Sequence, residues 1–261
     1  MKLLPVFLSC VLLCSCSADI KTTHKQDTVS VEKKSFDLGN TFEVFIENDY
    51  GSIEIHKWAN NEIKFENTKK VRGVLDQKAL NEKLKLFKSE FSNNGKKLSF
   101  KSFYDDRAKN PADINLDIKL YIPAGIKRLD IKLETGKIKA YDDTTCDLNI
   151  SAGEVNTTID NIKSRLNLKA DMGNLTISNG RIAEGSTVKT NIGNIILKAA
   201  FEETGGYSIE TSTGYVNINT PAESKVTFDC IGDIDVNDKS ADYKTRVNVS
   251  SGMGKISIKK Y

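Results

Sequence analysis

Apolar and polar residues alternate along most of this chain. From Leu129 onward a glycine punctuates the alternation about every 20 residues. The glycines are Gly136, Gly153, Gly173, Gly193, Gly214, Gly232 and Gly254, at spacings of 17 to 22. Two residues after each stands an apolar side chain: Ile138, Val155, Leu175, Ile195, Val216, Ile234 and Ile256. Two further on stands another small or apolar one: Ala140, Thr157, Ile177, Leu197, Ile218, Val236 and Ile258. Period-two alternation predicts strands. A fixed repeat of this length predicts stacked units, none of which can bury its apolar face alone.

Each repeat holds a strand before its glycine and a strand after it. The residues expected to face inward before the bend are Leu129, Ile131 and Leu133, then Leu166, Leu168 and Ala170. They continue as Val188, Thr190 and Ile192, and end as Val247, Val249 and Ser251. The Gly232 repeat is out of phase by one, with Val226, Phe228 and Cys230 at even offsets, so a bulge is expected there to restore the register. Two strands and a bend in 20 residues fit one coil of a β-solenoid, with coils about 4.8 Å apart and seven coils spanning on the order of 30 Å. A β-sandwich is the rival reading, since alternating strands with glycine turns also build sandwiches. It stays open above all for the N-terminal part.

That part, residues 29–125, reads as a β module. Val29, Val31, Phe36 and Leu38 predict one strand, and Phe42, Val44 and Ile46 a second. Asp49-Tyr50-Gly51 leads into Ile53 and Ile55, an early copy of the glycine motif. One segment has helical rather than period-two spacing: Leu80, Leu84, Phe87 and Phe91 predict an amphipathic helix over about 76–91, capped by Asp76 and stopped by Asn93-Asn94-Gly95. Ile114 to Ile122 alternate without a break, and Pro123-Ala124-Gly125 marks the step into the repeat array, 126–261. Residues 29–261 are expected to form one continuous fold.

The first residues follow other rules. Lys2 precedes an apolar run, Leu3 to Leu13, too short to span a bilayer. The run ends in Leu13-Cys14-Ser15-Cys16, which resembles the lipobox of bacterial lipoproteins. Cys16 fits as the acylated residue, with Leu13 three before it and Ser15 just before it. Residues 1–16 are therefore expected to be a lipoprotein signal peptide and 17–28 a polar tether. The protein is expected to be lipid-anchored in the bacterial cell envelope, at the outer membrane or cell surface or at the periplasmic face, with acyl chains on Cys16 as the membrane contact.

Composition narrows the chemistry. Net charge is only +3, with 28% charged residues of both signs interspersed, which argues against a nucleic-acid partner. Cys146 and Cys230 are the only cysteines past the signal, without a C-x-x-C or a neighbouring histidine, and read as core thiols. Sequons at Asn149, Asn156, Asn174 and Asn248 read as chance. His56, beside Trp58, reads as a surface imidazole, and Asp105-Asp106 as a solvated loop. No nucleotide-binding or nucleophile-elbow motif occurs. Neither a cofactor nor a metal is expected, and no catalytic set presents itself. Among outward positions, Tyr215, Asn217, Asp233 and Asp235 form the candidate binding face, with Tyr215 as its aromatic anchor.

A family resemblance rests on three features: Gly51-Ser52-Ile53-Glu54-Ile55 after an opening hairpin, Leu120-Tyr121-Ile122-Pro123-Ala124-Gly125 before the array, and the serial Gly-x-Ile/Val-x-Ile/Val units. By these the chain resembles the bacterial adhesin-like families of envelope-exposed β-strand-repeat proteins, often described only as domains of unknown function. The resemblance implies a non-catalytic scaffold that binds a protein or glycan through a long rigid face. Two alternatives stand beside it: a periplasmic partner of an envelope signalling system, and a carbohydrate-active β-helix enzyme.

Overall fold

The computed structural model describes residues 25–105, 114–236 and 243–261. Cys16 and the rest of the signal and tether, up to His24, lie outside the described residues, as do Asp106 to Asp113. Among the described residues the protein is all-β with one helix. Its first part comprises β1 (Gln26–Asp37), β2 (Glu43–Lys57), β3 (Glu62–Gly73), α1 (Gln77–Leu84), β4 (Phe87–Asn93), β5 (Lys97–Tyr104) and β6 (Ile114–Ile122). The repeats follow as β7 (Arg128–Thr144), β8 (Asp147–Ile162), β9 (Leu166–Met172), β10 (Leu175–Ile177), β11 (Arg181–Ile182) and β12 (Thr187–Ile192). The chain continues as β13 (Ile195–Lys198), β14 (Ala200–Phe201), β15 (Gly206–Thr213), β16 (Val216–Thr220), β17 (Val226–Val236) and β18 (Thr245–Lys260).

The glycine bends divide the sheet into two limbs. On the limb before the bend, β2, β7, β8, β9, β12, β15, β18 and β17 pair in parallel in that order. On the limb after it the order is β6, β2, β7, β8, β10, β13, β16, β18 and β17. Because β8 and β18 run unbroken through the bend, each serves both limbs. The hydrogen-bond path through β8, β10, β13, β16, β18, β15, β12 and β9 therefore returns to β8. Eight parallel strands thus close on themselves, which the expected open stack did not include.

Pairing in register lines up the inward residues. Ile46, Ile131, Ile150, Leu168, Val188, Ile209 and Val249 form one column, ending in Cys230. Ile53, Ile138, Thr157, Leu175, Ile195, Val216 and Ile256 form another, ending in Ile234. All but the two terminal residues are at most 3% exposed. Burial of these aliphatic columns is the main driving force for stacking, since each Leu or Ile withdrawn from water contributes about 1.5–3 kcal/mol. Cys146 is buried too, and desolvation pushes its thiol up to about 11.

Four expectations are corrected. The helix covers only Gln77–Leu84: Asp76 caps it by accepting from the Ala79 N–H, but Phe87 and Phe91 lie on β4, antiparallel to β5. Their spacing of four suits one face of a helix or one face of a strand. Asn93-Asn94-Gly95 serves as the hairpin turn joining β4 to β5 rather than as a helix stop. As a strand residue, Phe91 packs its ring on Phe36, Phe65 and Phe100.

The second correction concerns Gly153. Gly136 stands beside Val155, so Thr157 and not Val155 occupies the Ile138 column, and Ile159 stands beside Ala140. Third, Ile192 lies beside Met172 on the outer edge of the bend and is 49% exposed. Finally, sequence order is not stacking order: β18 lies between the β15–β16 coil and β17. The register shift expected near Gly232 is present, between Ile231 and Asp233.

Candidate functional site

The sequence-selected face does not converge on one point. Tyr215 and Asn217 stand on one coil, and Asp233 and Asp235 on β17, with Lys255 and Ser257 of β18 between them. Two coil spacings, roughly 10 Å, separate the pairs. Lys255 Nζ lies 3.0 Å from Asp235, and this hydrogen bond raises the lysine above its ordinary value. Tyr215 is 43% exposed.

The asparagines on the same limb are already engaged. The Asn156 side-chain oxygen accepts from the Asn174 N–H at 2.9 Å, Asn174 from Asn194 N–H at 2.8 Å, and Asn194 from Tyr215 N–H at 3.0 Å. This ladder satisfies backbone donors at the bends, where no strand partner serves them. Tyr215 ends it. His56 is likewise occupied, its ring stacked between Tyr121 at 5.1 Å and Tyr141 at 4.6 Å. Among the described residues no three histidine, cysteine or acidic side chains group to hold a metal ion.

A groove that follows the stacking direction lies on the other limb. An open groove of about 420 Å³ runs across β2, β7, β8, β9 and β12 on their outward side. It spans four coil spacings, roughly 19 Å. Two in-register rows of outward side chains form it. The first is Phe45, Asp130, Asn149, Asn167 and Thr187; the second is Lys132, Ser151, Lys169 and Lys189, with Glu47 continuing that register beyond the groove lining. The first row is hydrogen-bonded from Asp130 to Thr187. Asn149 donates to Asp130 at 2.9 Å, Asn167 to Asn149 at 2.9 Å, and the Thr187 hydroxyl to Asn167 at 3.1 Å. Each Asn amide therefore keeps a second N–H free of this chain of bonds.

Charges in the second row are unevenly balanced. Lys132 donates to Glu47 at 2.9 Å and Lys189 lies 2.9 Å from Glu210. Lys169 stands between Ser151 and Lys189, exposed, and makes no ion pair among the described residues. Like charges side by side on neighbouring strands are destabilising, and here Lys189 leans away to Glu210. At the other end, Lys97 and Lys101 of β5 hold their ammonium groups 4.9 and 5.7 Å from the Phe45 ring centroid. Both come from the strand on the far side of β2 from the groove.

Glu47 gives a direct check on this geometry. The hydrogen bond from Lys132 holds its carboxyl below the usual glutamate range, against an opposing effect of burial. A depressed folded value means that the pair's contribution is complete above the ordinary glutamate value and fades as pH falls through the folded one. An NMR carboxyl titration is expected to place the Glu47 midpoint below that of a model glutamate, and Lys132→Gln to move it upward. An unmoved midpoint in Lys132→Gln would remove the pair.

The groove residues were missed in the sequence because Asp130, Asn149, Asn167 and Thr187 look like ordinary strand-surface polar residues. Their spacing of 18 to 20 is the one signal that marked them as a column.

Comparison with known proteins agrees with this architecture. A candidate adhesin from Bacteroides fragilis NCTC 9343 superposes with a TM-score of 0.50 at 10% identity, covering 88% of this chain and 97% of that one. A candidate cell adhesion protein from Clostridium sporogenes ATCC 15579 gives 0.42 at 14% identity, covering 90% and 100%. A candidate adhesin from Parabacteroides distasonis ATCC 8503 gives 0.44 at 12% identity, covering 89% and 97%. At 10% identity the likeness to the Bacteroides fragilis protein is one of fold alone. A search of curated proteins finds no match. The profile of the Toastrack DUF4097 family matches residues 41–261, from the strand that begins the stack to the last residue. With its glycine-bent parallel coils matched over that length, the chain belongs to the Toastrack DUF4097 family.

Proposed function

We propose that this protein is a non-catalytic binding scaffold of the bacterial envelope, and that it engages its partner along the groove between Phe45 and Lys189. In this reading the closed circuit of eight strands is a flattened solenoid whose two limbs are the walls of stacked coils. The observation that carries the proposal is the groove itself: an outward, solvent-open track that repeats coil after coil on a rigid core. Function placed on such a track is spread over many side chains. The adhesin descriptions of structurally similar proteins support a surface role. The Cys16 motif supports a lipid anchor, and no described helix is long and apolar enough to cross a membrane.

A photocrosslinking residue tests the site in native envelopes. Introduced at Ser151, in the groove, it is expected to yield a discrete adduct. Introduced at Ser257, on the other limb beside Asp235, it is expected to yield none. The reverse result would move the site to the Tyr215–Asp235 face. In the same cells, Cys16→Ser is expected to release the protein from the membrane fraction, and retention there would remove the lipid anchor.

A further inference from the structure

The groove has features that choose among ligands. Its repeat is the coil spacing, about 4.8 Å, close to the length of one pyranose residue in an extended chain. A ligand with that repeat can present the same group to each successive coil. The first row offers amide N–H groups that its own hydrogen-bond chain leaves over, on Asn149 and Asn167. These are fixed in place, so a hydroxyl binding them costs no reorganisation of the site. The second row offers the Ser151 hydroxyl and the Lys169 ammonium. Lys169 is the groove lysine without a carboxylate, and it stands directly beside Lys189. An anion placed there would form a charge-assisted hydrogen bond with it. Phe45 stands at the end of the track, where Lys97 reaches from β5 over its ring to within 3.9 Å of the Asp130 carboxylate.

We propose that the groove binds a linear acidic polysaccharide, one sugar per coil, with a sugar carboxylate on Lys169. This rests on the scaffold reading above and adds the ligand class to it. A neutral glycan would offer the Lys169 ammonium no counter-charge. A folded protein partner would meet a track whose width is two rows of side chains.

The test is equilibrium binding of the mature chain to tetragalacturonate and to galactotetraose, its counterpart without carboxylates. The acidic tetramer is expected to bind at least tenfold more tightly, and to weaken as salt is raised. Lys169→Gln is expected to weaken tetragalacturonate about tenfold, the size of one charge-assisted hydrogen bond, and to leave galactotetraose unchanged. Lys169 is exposed, so its variant keeps the fold, which an unchanged melting temperature verifies. Equal binding of the two tetramers, binding by neither, or an unaffected Lys169→Gln would each overturn the proposal. If the Ser151 crosslinker still captures a partner while neither tetramer binds, the ligand class falls and the scaffold reading stands. If no adduct forms either, both fall.

Discussion

Replacing Ile195 with aspartate is expected to leave no folded protein. Ile195 is fully buried, and its neighbours in the column are Leu175 and Val216 on adjacent coils. A carboxylate there has no partner, and burying it costs several kcal/mol even after local relaxation. Whole domains are stable by only about 5–15 kcal/mol, and in a stack the damage spreads to both neighbouring coils. The adjacent Asn194→Asp keeps the side-chain oxygen that accepts from Tyr215 N–H and is expected to be nearly silent. Circular dichroism and thermal melting of the two variants make the comparison. Equal effects would mean that inward and outward residues have been assigned wrongly.

The second large effect is expected at Gly214. Its φ is +145°, where a side chain is strained, and a Cβ built on it would stand 2.1 Å from the Gly193 carbonyl oxygen. Backbone strain in such a conformation costs about 1–3 kcal/mol. The clash adds to it, because the obstacle is the main chain of the next coil and cannot rotate away. Gly214→Ala is therefore expected to lower the melting temperature by well over 10 °C, on a scale of about 2–4 °C per kcal/mol for a chain of this size, or to prevent folding. Gly206→Ala is the control: nothing lies within 4 Å of its Cβ, and a shift of a degree or two is expected. Similar shifts in the two variants would show that close approach of coils at the bend is not what requires glycine.

These two sites also mark what was legible in the sequence. The Ile195 column could be read directly, because inward burial forces apolar residues at a fixed distance after each glycine. The bend glycines were legible for the same reason, except one. Val155 takes the bend position beside Gly136 without a positive φ, so Gly153 offered a false alignment two residues away. Phe87 and Phe91 were misread because their spacing satisfies two periodicities, and only pairing with β5 decides between them. The groove was hidden for another reason. Its polar residues keep the repeat spacing, but so do the other outward rows, and Phe45 joins them only through the pairing of β2 with β7. The order of β17 and β18 was not legible either, since equal repeats fit one another in any order.

That order bears on how the molecule is assembled in time. β17 is synthesised before β18, yet along its paired edge it bonds only to β18. Until β18 enters, β17 has no neighbour, and β15 and β16 present bare edges of the kind that recruit other chains. The closing step is thus the insertion of one long strand into a slot flanked on both sides, a late event that joins segments far apart in sequence and is intrinsically slow. A chain interrupted between Val236 and Thr245 would hold nearly every coil and still be sticky. Entry of β18, rather than the amount of core already formed, decides when the edges of β15 and β16 are covered.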